Sequence, residues 1–272
     1  MRGIMKYKTL IYGSGEGVAT LTMNRPKKMN AQDTILMQEM TAAIEGARED
    51  DEVRVLIITG AGDAFCAGAD LTAPAALIDP KQPGMNRRTR IEPFMSFGKM
   101  VKSLRGFHKP VIAAVNGYAV GGGLCIACLC DLRIASEHAK FGAVFVKRGL
   151  VADLGTTYLL PRIVGAEKAL ELMWTGEIID AAEAQRIGLV GRVVLQEELM
   201  TTARELAARI AKGPSVAVEL MKHLVYDGLE ANNFSLQVAY EAWAQEVCYL
   251  TDDFKEGIDS FQKKKEAFFT GK

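Results

Sequence analysis

Residues 110–133 (PVIAAVNGYAVGGGLCIACLCDLR) constrain the fold most, because an apolar run stops, passes through three consecutive glycines and then resumes. Residues 111–115 have the length and β-branched content of a buried strand, and residues 124–132 are apolar on nearly all sides, as in a helix inside a core. Glycines between a strand and a helix let backbone N–H groups approach a ligand, and the helix dipole favours negative charge there. This stretch therefore predicts an anion site at the start of a buried helix.

The composition indicates an ordinary globular protein with reduced thiols. Its 272 residues are 49% hydrophobic and 24% charged, which suffices for one substantial core with a small appended segment. Lys+Arg and Asp+Glu are equal at 33 each, so no overall field favours nucleic acid or an anionic membrane. The apolar runs are too short to span a bilayer, the N-terminus lacks the apolar core of a signal peptide, and the five cysteines are an odd number. We expect a cytoplasmic protein without nucleic-acid or membrane partners.

Strand and helix patterns alternate before residue 213, and only helices follow it. A hairpin is predicted over residues 7–24, and a buried strand over residues 53–59 leads into a second glycine-rich loop at residues 60–70. Another short strand is predicted over residues 188–194. Amphipathic helices are predicted over residues 35–47, 156–160, 166–174, 181–187, 197–211, 216–226, 234–250 and 253–269. We therefore predict an α/β core over residues 1–212 and a helical C-terminal segment over residues 213–272, divided at Gly213-Pro214.

Two patterns resemble ligand-binding motifs but are better explained as ordinary structural features. The turn at residues 13–17 lacks the Lys-Ser/Thr of a phosphate-binding loop and precedes a strand, so we interpret it as a turn. Cys125, Cys128 and Cys130 share one predicted helix without a second pair of ligands, which favours small buried side chains over a metal site. The three histidines lie far apart, and no G-x-S-x-G or H-E-x-x-H motif occurs, which argues against a serine hydrolase or a zinc protease.

Two further features remain open from the residues alone. Residues 72–98 carry four of the eight prolines and a basic cluster, which indicates a mobile loop or lid whose charges are solvated or contact a charged ligand. Asp153 stands among apolar and small residues, where it is a helix cap, a salt-bridged surface residue or a functional acid.

Several motifs, in their order and spacing, resemble the crotonase family, the enoyl-CoA hydratases and isomerases, over nearly the whole chain. They are Asn24-Arg25-Pro26 followed by Asn30-Ala31, residues 64–70 (AFCAGAD), Lys109-Pro110 leading to residues 116–123 (NGYAVGGG), Thr175-Gly176, Gly188-Leu189-Val190 and residues 252–257 (DDFKEG). The resemblance implies a spiral of ββα repeats, a helical C-terminal region used for assembly, and homotrimers that commonly pair into hexamers. It also implies an acyl-CoA thioester substrate, with coenzyme A entering only as part of that substrate and no metal.

The resemblance also assigns roles to the glycine-rich loops. The backbone N–H groups of Ala69 and Gly122 would bind the thioester oxygen. This role is physically reasonable, because preorganised donors stabilise the negative charge that develops on an enolate oxygen. The residues expected along the nucleotide and pantetheine of coenzyme A are Lys28, Asn30, Ala31 and Ala67.

Two departures from the family pattern carry the functional prediction. Typical hydratases have glutamates where this chain has Cys125 and Phe145, which we expect to line the acyl pocket instead. Hydration needs a water to be oriented and deprotonated while the α-carbon is protonated, and a thiol and a phenyl ring cannot do this directly. Asp153 matches the single acidic position used by some isomerases of the family. An apolar surround that includes Phe145 should raise the pKa of the Asp153 carboxyl.

The sequence therefore predicts an enoyl-CoA isomerase in which Asp153 moves a proton from C2 to C4 through a dienolate. One alternative is a hydratase that uses Asp153 and an ordered water. Another is a catalytically silent acyl-CoA-binding subunit, because both glutamates are missing. A dehalogenase of this family is disfavoured, since such enzymes use a histidine where this chain has Gly98.

Overall fold

The computed structural model describes residues 7–72, 97–231 and 233–272. The predicted loop or lid at residues 72–98 lies outside the described residues except at its two ends. Strands in the described part of the chain are β1 (Leu10–Gly15), β2 (Val18–Met23), β3 (Val55–Gly60), β4 (Ala64–Cys66), β5 (Val111–Val115), β6 (Tyr118–Val120), β7 (Leu132–Ser136), β8 (Lys140–Gly142), β9 (Ile178–Asp180) and β10 (Arg192–Val194).

These strands form two sheets. The larger has the order β1-β2-β3-β5-β7-β10, in which only β1 and β2 are antiparallel. The smaller has the order β4-β6-β8-β9, in which only β8 and β9 are antiparallel. The pairs β3–β4, β5–β6 and β7–β8 each give their first strand to the large sheet and their second to the small one, and helices follow. This arrangement confirms the predicted spiral of ββα repeats.

Helices in the described residues occupy most of the segments predicted from periodicity. They are α1 (Thr34–Arg48), α2 (Phe97–Arg105), α3 (Gly122–Leu129), α4 (Thr156–Val164), α5 (Ala166–Thr175), α6 (Ala181–Arg186), α7 (Leu199–Ala211), α8 (Ser215–Glu230), α9 (Phe234–Tyr249) and α10 (Asp252–Lys263). Short 3₁₀ turns occur at Pro26–Lys28, Val144–Arg148 and Gln196–Glu198. None of the described helices is long and apolar enough to cross a membrane.

The centre of the large sheet is covered on both faces, which explains why β3 and β5 are continuously apolar. On one face, side chains of α1 and α3 join the main core. On the other, α7 presents Leu199, Ala203 and Ala207 to Ile57 and Ile112 of these two strands. The sequence therefore forms a layered α/β core in which the glycine-rich α3 is fully buried.

The C-terminal helices are attached to this core through buried polar contacts. Asp131 accepts hydrogen bonds from Lys222 Nζ of α8 at 2.8 Å and from the Tyr226 hydroxyl at 2.9 Å. Lys222 Nζ also donates to the Lys109 carbonyl at 2.9 Å. The division into segments 1–212 and 213–272 stays a prediction, and α8 begins directly after Gly213 and Pro214.

Several boundaries differ from the sequence prediction. The strand predicted over residues 188–194 is confined to Arg192–Val194, and the helices predicted over residues 156–160 and 216–226 extend to Val164 and Glu230. The hairpin turn consists of Glu16 and Gly17 alone, since β1 continues through Gly15. The buried helix is shifted towards the N-terminus, from residues 124–132 to Gly122–Leu129, so that its first turn lies within the glycine run. The last helix ends at Lys263, not at residue 269, because the following tail is held elsewhere: Arg54 donates to the carbonyls of residues 269 and 270.

Candidate active site

The loop after β4 and the first turn of α3 lie in direct contact. Gly68 has a φ of +85°, and a Cβ placed on it would lie 2.9 Å from the Val120 carbonyl oxygen and 3.2 Å from Gly122 N. A Cβ on Gly123 would lie 1.9 Å from the carbonyl oxygen of Cys66. Only hydrogen fits at both positions, so the glycines allow the two loops to approach to backbone contact.

The two predicted oxyanion donors, Ala69 and Gly122, flank this contact. Ala69 pairs with Gln32 in an isolated parallel bridge, in which Gln32 N donates to the Gly68 carbonyl at 2.7 Å and Asp70 N donates to the Gln32 carbonyl at 2.8 Å. The N–H of Ala69 itself points away from Gln32 in this pattern. Gly122 opens α3, so its N–H has no acceptor within the helix. Neither N–H donates to any described residue, and that of Gly122 lies at the positive end of α3.

An arginine and an aspartate hold the Ala69 loop in place. Arg25 Nη2 lies 2.9 Å from Asp70 Oδ2 and 3.0 Å from Asp33 Oδ2. Hydrogen bonds from Thr72 and Arg25 lower the pKa of the Asp70 carboxyl to about 2. Asp70 is therefore ionised at neutral pH and serves to fix the loop, which excludes it as a general base.

The residues predicted to contact coenzyme A lie near the ion pair of Arg25 and Asp70. Lys28 is exposed, and its Nζ donates to Thr72 Oγ1 at 3.0 Å. Ala31 is buried, with its carbonyl oxygen accepting from Arg25 Nη1. Ala67 is half-buried, and its N–H donates to the Met29 carbonyl at 3.0 Å. The structure thus groups Lys28, Ala31 and Ala67 around one short stretch of chain, while their contact with coenzyme A stays a prediction.

Asn30, the fourth residue predicted to contact coenzyme A, is engaged inside the protein. It is 0% exposed and adopts a left-handed φ of +56°. Its Oδ1 accepts from Arg25 N at 2.8 Å, and its Nδ2 donates to the carbonyls of Ala61 at 2.9 Å and Ala64 at 2.7 Å. The side chain therefore joins neighbouring loops, so any contact with coenzyme A would have to come from its backbone.

Gln32 is a residue of this region that sequence reasoning missed. It is 2% exposed, and a Cβ on Gly122 would lie 2.3 Å from its Oε1. Neither Oε1 nor Nε2 has a nitrogen or oxygen partner among the described residues, and the polar neighbour of this side chain is the thiol of Cys66. The sequence shows that Gln32 is polar, but only the packing shows that it is buried directly behind a predicted oxyanion donor.

Asp153 is brought to α3 by the turn that precedes α4. The Cys125 thiol, on the first turn of α3, donates to the carbonyl of Leu154, the residue after Asp153. Leu154 has a left-handed φ of +52°, and Thr156 N closes the turn on the Asp153 carbonyl at 2.9 Å. The turn therefore places Asp153 next to the start of α3 without using its side chain as the cap of α4.

The Asp153 carboxyl has the properties of a proton acceptor. Desolvation raises its pKa above the ordinary value, and its own backbone N–H opposes this more weakly. Asp153 is exposed as a residue and forms no ion pair with any described residue. The predicted salt-bridged alternative is therefore wrong for the described chain, and a carboxylate with a raised pKa remains accessible beside α3.

Cys125 and Phe145, the two residues predicted to line the acyl pocket, both have uncharged side chains, and their contact with an acyl group stays a prediction. Burial raises the pKa of the Cys125 thiol well above its ordinary value, and the charge of Asp153 raises it further. Phe145, in the 3₁₀ turn Val144–Arg148, is half-buried against the main core, and its carbonyl accepts from Leu150 N at 3.2 Å. Neither side chain is acidic near neutral pH. The described residues contain no cluster of His, Cys, Asp or Glu that could hold a metal ion.

Comparison with known proteins gives one family. The family model described as enoyl-CoA hydratase/isomerase matches residues 13–272. Crotonyl-CoA hydratase of Syntrophomonas wolfei is 39% identical over 98% of this chain and 100% of its own length. The 1,2-epoxyphenylacetyl-CoA isomerase of Escherichia coli is 36% identical over 94% and 96%. The crystal structure of an enoyl-CoA hydratase from Bacillus anthracis superposes with a TM-score of 0.89 at 32% identity, covering 97% of this chain and 100% of that one. The chain therefore belongs to the enoyl-CoA hydratase/isomerase (crotonase) family, whose members act on CoA thioesters.

Proposed function

We propose that this enzyme is an enoyl-CoA isomerase, which moves the double bond of a 3-enoyl-CoA to the 2-position. The observation that carries the proposal is the pairing of α3 with the turn at Asp153, through the hydrogen bond from the Cys125 thiol to the Leu154 carbonyl. It sets one accessible carboxylate beside a neutral thiol. One carboxylate is enough for a proton shift, whereas hydration must also orient and activate a water.

The proton movements follow from this arrangement. Asp153 takes a proton from C2, the electrons of that C–H bond delocalise into a dienolate, and Asp153 returns the proton to C4 as the new C2–C3 double bond forms. A raised pKa suits this exchange, because a carboxyl closer to the operating pH both accepts and returns a proton more readily.

The N–H groups of Ala69 and Gly122 stabilise the dienolate oxygen in this proposal. Both are free of acceptors in the described residues, and α3 adds the positive end of its dipole. In other enzymes, removal of one such donor costs about 10²- to 10³-fold in kcat.

The variant Asp153→Asn tests the proposal. We expect turnover of a 3-enoyl-CoA to fall by about 10²-fold or more, the usual contribution of a general base, with binding of the CoA thioester retained. Asp51→Asn is the matched control, since Asp51 is exposed in the turn after α1 and plays no part in the site. Wild-type isomerase turnover by Asp153→Asn would exclude the mechanism.

A hydratase that uses Asp153 and an ordered water is the second candidate. It is favoured by the name of the 39% identical relative from Syntrophomonas wolfei, a crotonyl-CoA hydratase. Hydration of crotonyl-CoA that disappears in Asp153→Asn, without isomerisation of 3-enoyl-CoA by the wild type, would identify the hydratase. Binding of CoA thioesters with no turnover of either substrate would instead indicate a catalytically silent subunit.

We also propose assembly into homotrimers or hexamers. Phe234, Leu250 and Phe261, on or next to α9 and α10, are each 84% exposed in the single chain. Large apolar side chains exposed to this extent are typical of contacts between protein chains. Light scattering coupled to gel filtration measures the assembly, and a monomeric mass at micromolar concentration would contradict it.

A further inference from the structure

A cavity of about 130 Å³ lies between α2, α3, α4 and α8, apart from every residue assigned above. A water molecule takes about 30 Å³ of liquid volume, so the cavity has room for about four waters or one small oxyanion. Its polar wall is formed by Arg105, Arg133, Arg162, Tyr158 and Tyr226. We call this cavity the arginine pocket.

The arginine pocket carries more positive than negative charge. Arg105 Nη2 lies 3.0 Å from Glu230 Oε1, and this is the only carboxylate ion-paired with any of the three guanidinium groups among the described residues. Arg162 donates one hydrogen bond, to the Tyr158 carbonyl at 2.9 Å. Arg133 donates to two backbone carbonyls, at 2.7 and 2.6 Å. Because each guanidinium has five N–H donors, most of the donors of these three arginines form no hydrogen bond with the described residues.

Aromatic rings hold two of these guanidinium groups in place. Arg105 Cζ lies 3.8 Å from the centroid of the Tyr226 ring, and Arg162 Cζ lies 3.5 Å from that of Tyr158. Stacking of this kind uses the face of the guanidinium and leaves its edge N–H groups free for a planar anion. The Tyr226 hydroxyl is itself fixed by its 2.9 Å hydrogen bond to Asp131. The donors are thus ordered before any ligand arrives, which reduces the entropy that binding would cost.

The rest of the wall indicates what the anion is attached to. Leu159, Ile163 and Leu229 supply apolar surface beside the arginines, and Leu229, 61% exposed, lies at the solvent side. Cys128 also lines the pocket, one helical turn beyond Cys125 on α3. It is six residues beyond Gly122 (128 − 122), a rise of about 9 Å along the helix. A short acyl chain with its thioester at Gly122 is of comparable length.

We propose that the arginine pocket binds a small oxyanion, supplied either by the terminal carboxylate of a dicarboxylic acyl group or by a free anion such as phosphate. The first source rests on the proposed function, because it requires the thioester to lie at Ala69 and Gly122. The second does not depend on that function.

Two measurements on the full-length protein separate these sources. The first is calorimetric binding of inorganic phosphate and of glutarate at constant ionic strength. The second is the ratio of kcat/KM for 3-hexenedioyl-CoA to that for 3-hexenoyl-CoA, which differ only in the terminal carboxylate. Arg162→Met removes an exposed guanidinium that forms no ion pair within 4 Å in the described chain and only stabilises the Glu230 carboxylate from a distance, and Arg209→Met, on the exposed face of α7, is the matched control.

If the acyl group supplies the anion, Arg162→Met lowers the kcat/KM ratio about 10-fold or more, as loss of a charge-assisted hydrogen bond predicts, and Arg209→Met leaves it unchanged. If a free anion is bound, Arg162→Met weakens phosphate binding by a similar factor while both substrates react as before. Absence of anion binding and of any preference for the carboxylated substrate in the wild type would overturn the proposal. Turnover of 3-hexenoyl-CoA tests the isomerase assignment separately, so failure of one does not imply failure of the other.

Discussion

Replacement of Asn30 by alanine tests whether this residue belongs to the scaffold or to the binding site for coenzyme A. The side chain is fully buried and makes three hydrogen bonds, of 2.8, 2.9 and 2.7 Å, to backbone groups of Arg25, Ala61 and Ala64. These groups lie on both sides of the contact between the 3₁₀ turn Pro26–Lys28 and the loops around β4. Removal of the amide leaves one N–H and two carbonyls without these partners.

The expected cost follows from those three groups and from the backbone conformation. A buried polar group left unpaired costs about 1–3 kcal/mol, so the lower end of that range gives about 3 kcal/mol for three groups. Alanine in a left-handed conformation, here a φ of +56°, adds about 1 kcal/mol because its Cβ approaches the following carbonyl. We therefore expect Asn30→Ala to lower the free energy of unfolding by about 4 kcal/mol, a large part of the roughly 5–15 kcal/mol typical of folded proteins.

Urea unfolding followed by circular dichroism measures this loss. Asn30→Gly removes the same bonds but tolerates the backbone conformation, so it should be about 1 kcal/mol less damaging than Asn30→Ala. Asn24→Ala is the control, since the Asn24 side chain makes no hydrogen bond in the described chain, and a change within about 0.5 kcal/mol is expected. A loss below about 1 kcal/mol for Asn30→Ala, together with weaker binding of CoA thioesters, would refute the reasoning and make the side chain a ligand contact.

Three other perturbations have defined outcomes. Gln32→Met should raise the free energy of unfolding by about 1–2 kcal/mol, because it removes two buried polar atoms that have no nitrogen or oxygen partner among the described residues; a lower melting temperature would contradict this. Asp253→Ala should cost about 2 kcal/mol and expose the tail to proteases, because Asp253 accepts from Thr270 N at 2.6 Å and Gly271 N at 2.9 Å. The pKa of Asp70, about 2 when folded, lies below its ordinary 3.8, so its stabilisation is present above pH 3.8 and is lost as the pH falls towards 2. Acid unfolding that Asp70→Asn leaves unchanged in midpoint would count against that role.

The parts of the fold that could be predicted from the sequence are those with a long repeating pattern. α1 and α7 follow an amphipathic period over several turns, and β5 is an uninterrupted apolar run. The strands β4, β6 and β9 have three residues each, too few to show any period. Their pairing is set by the stacking of one ββα repeat on the next, which is a property of the tertiary structure.

The residues of the candidate site likewise include some that could be predicted from the sequence and some that could not. Gly122 and Gly123 could be recognised because only a backbone without Cβ can approach another chain segment to contact, and the sequence shows such residues directly. Asn30 and Gln32 could not be distinguished, since both are polar residues in one short motif and both are buried. The Asn30 side chain has three backbone partners, whereas that of Gln32 has no nitrogen or oxygen partner among the described residues. This difference depends on loops some 30 positions away. The arginine pocket could not be predicted from any sequence pattern, because its residues come from five elements between positions 105 and 229.

The contrast between Asp70 and Asp153 shows how one site can hold two carboxylates with different roles. Asp70 accepts from Arg25 and Thr72, which favours its charged form and lowers its pKa to about 2. Asp153 has no cationic partner in the described chain, and desolvation raises its pKa. A carboxylate held by a guanidinium cannot exchange protons near neutral pH, whereas a partly desolvated one can. In the proposed mechanism Cys125 and Phe145 add no further acid, so the proton transfers fall to the carboxylate of Asp153, while Asp70 holds the loop that carries the N–H of Ala69.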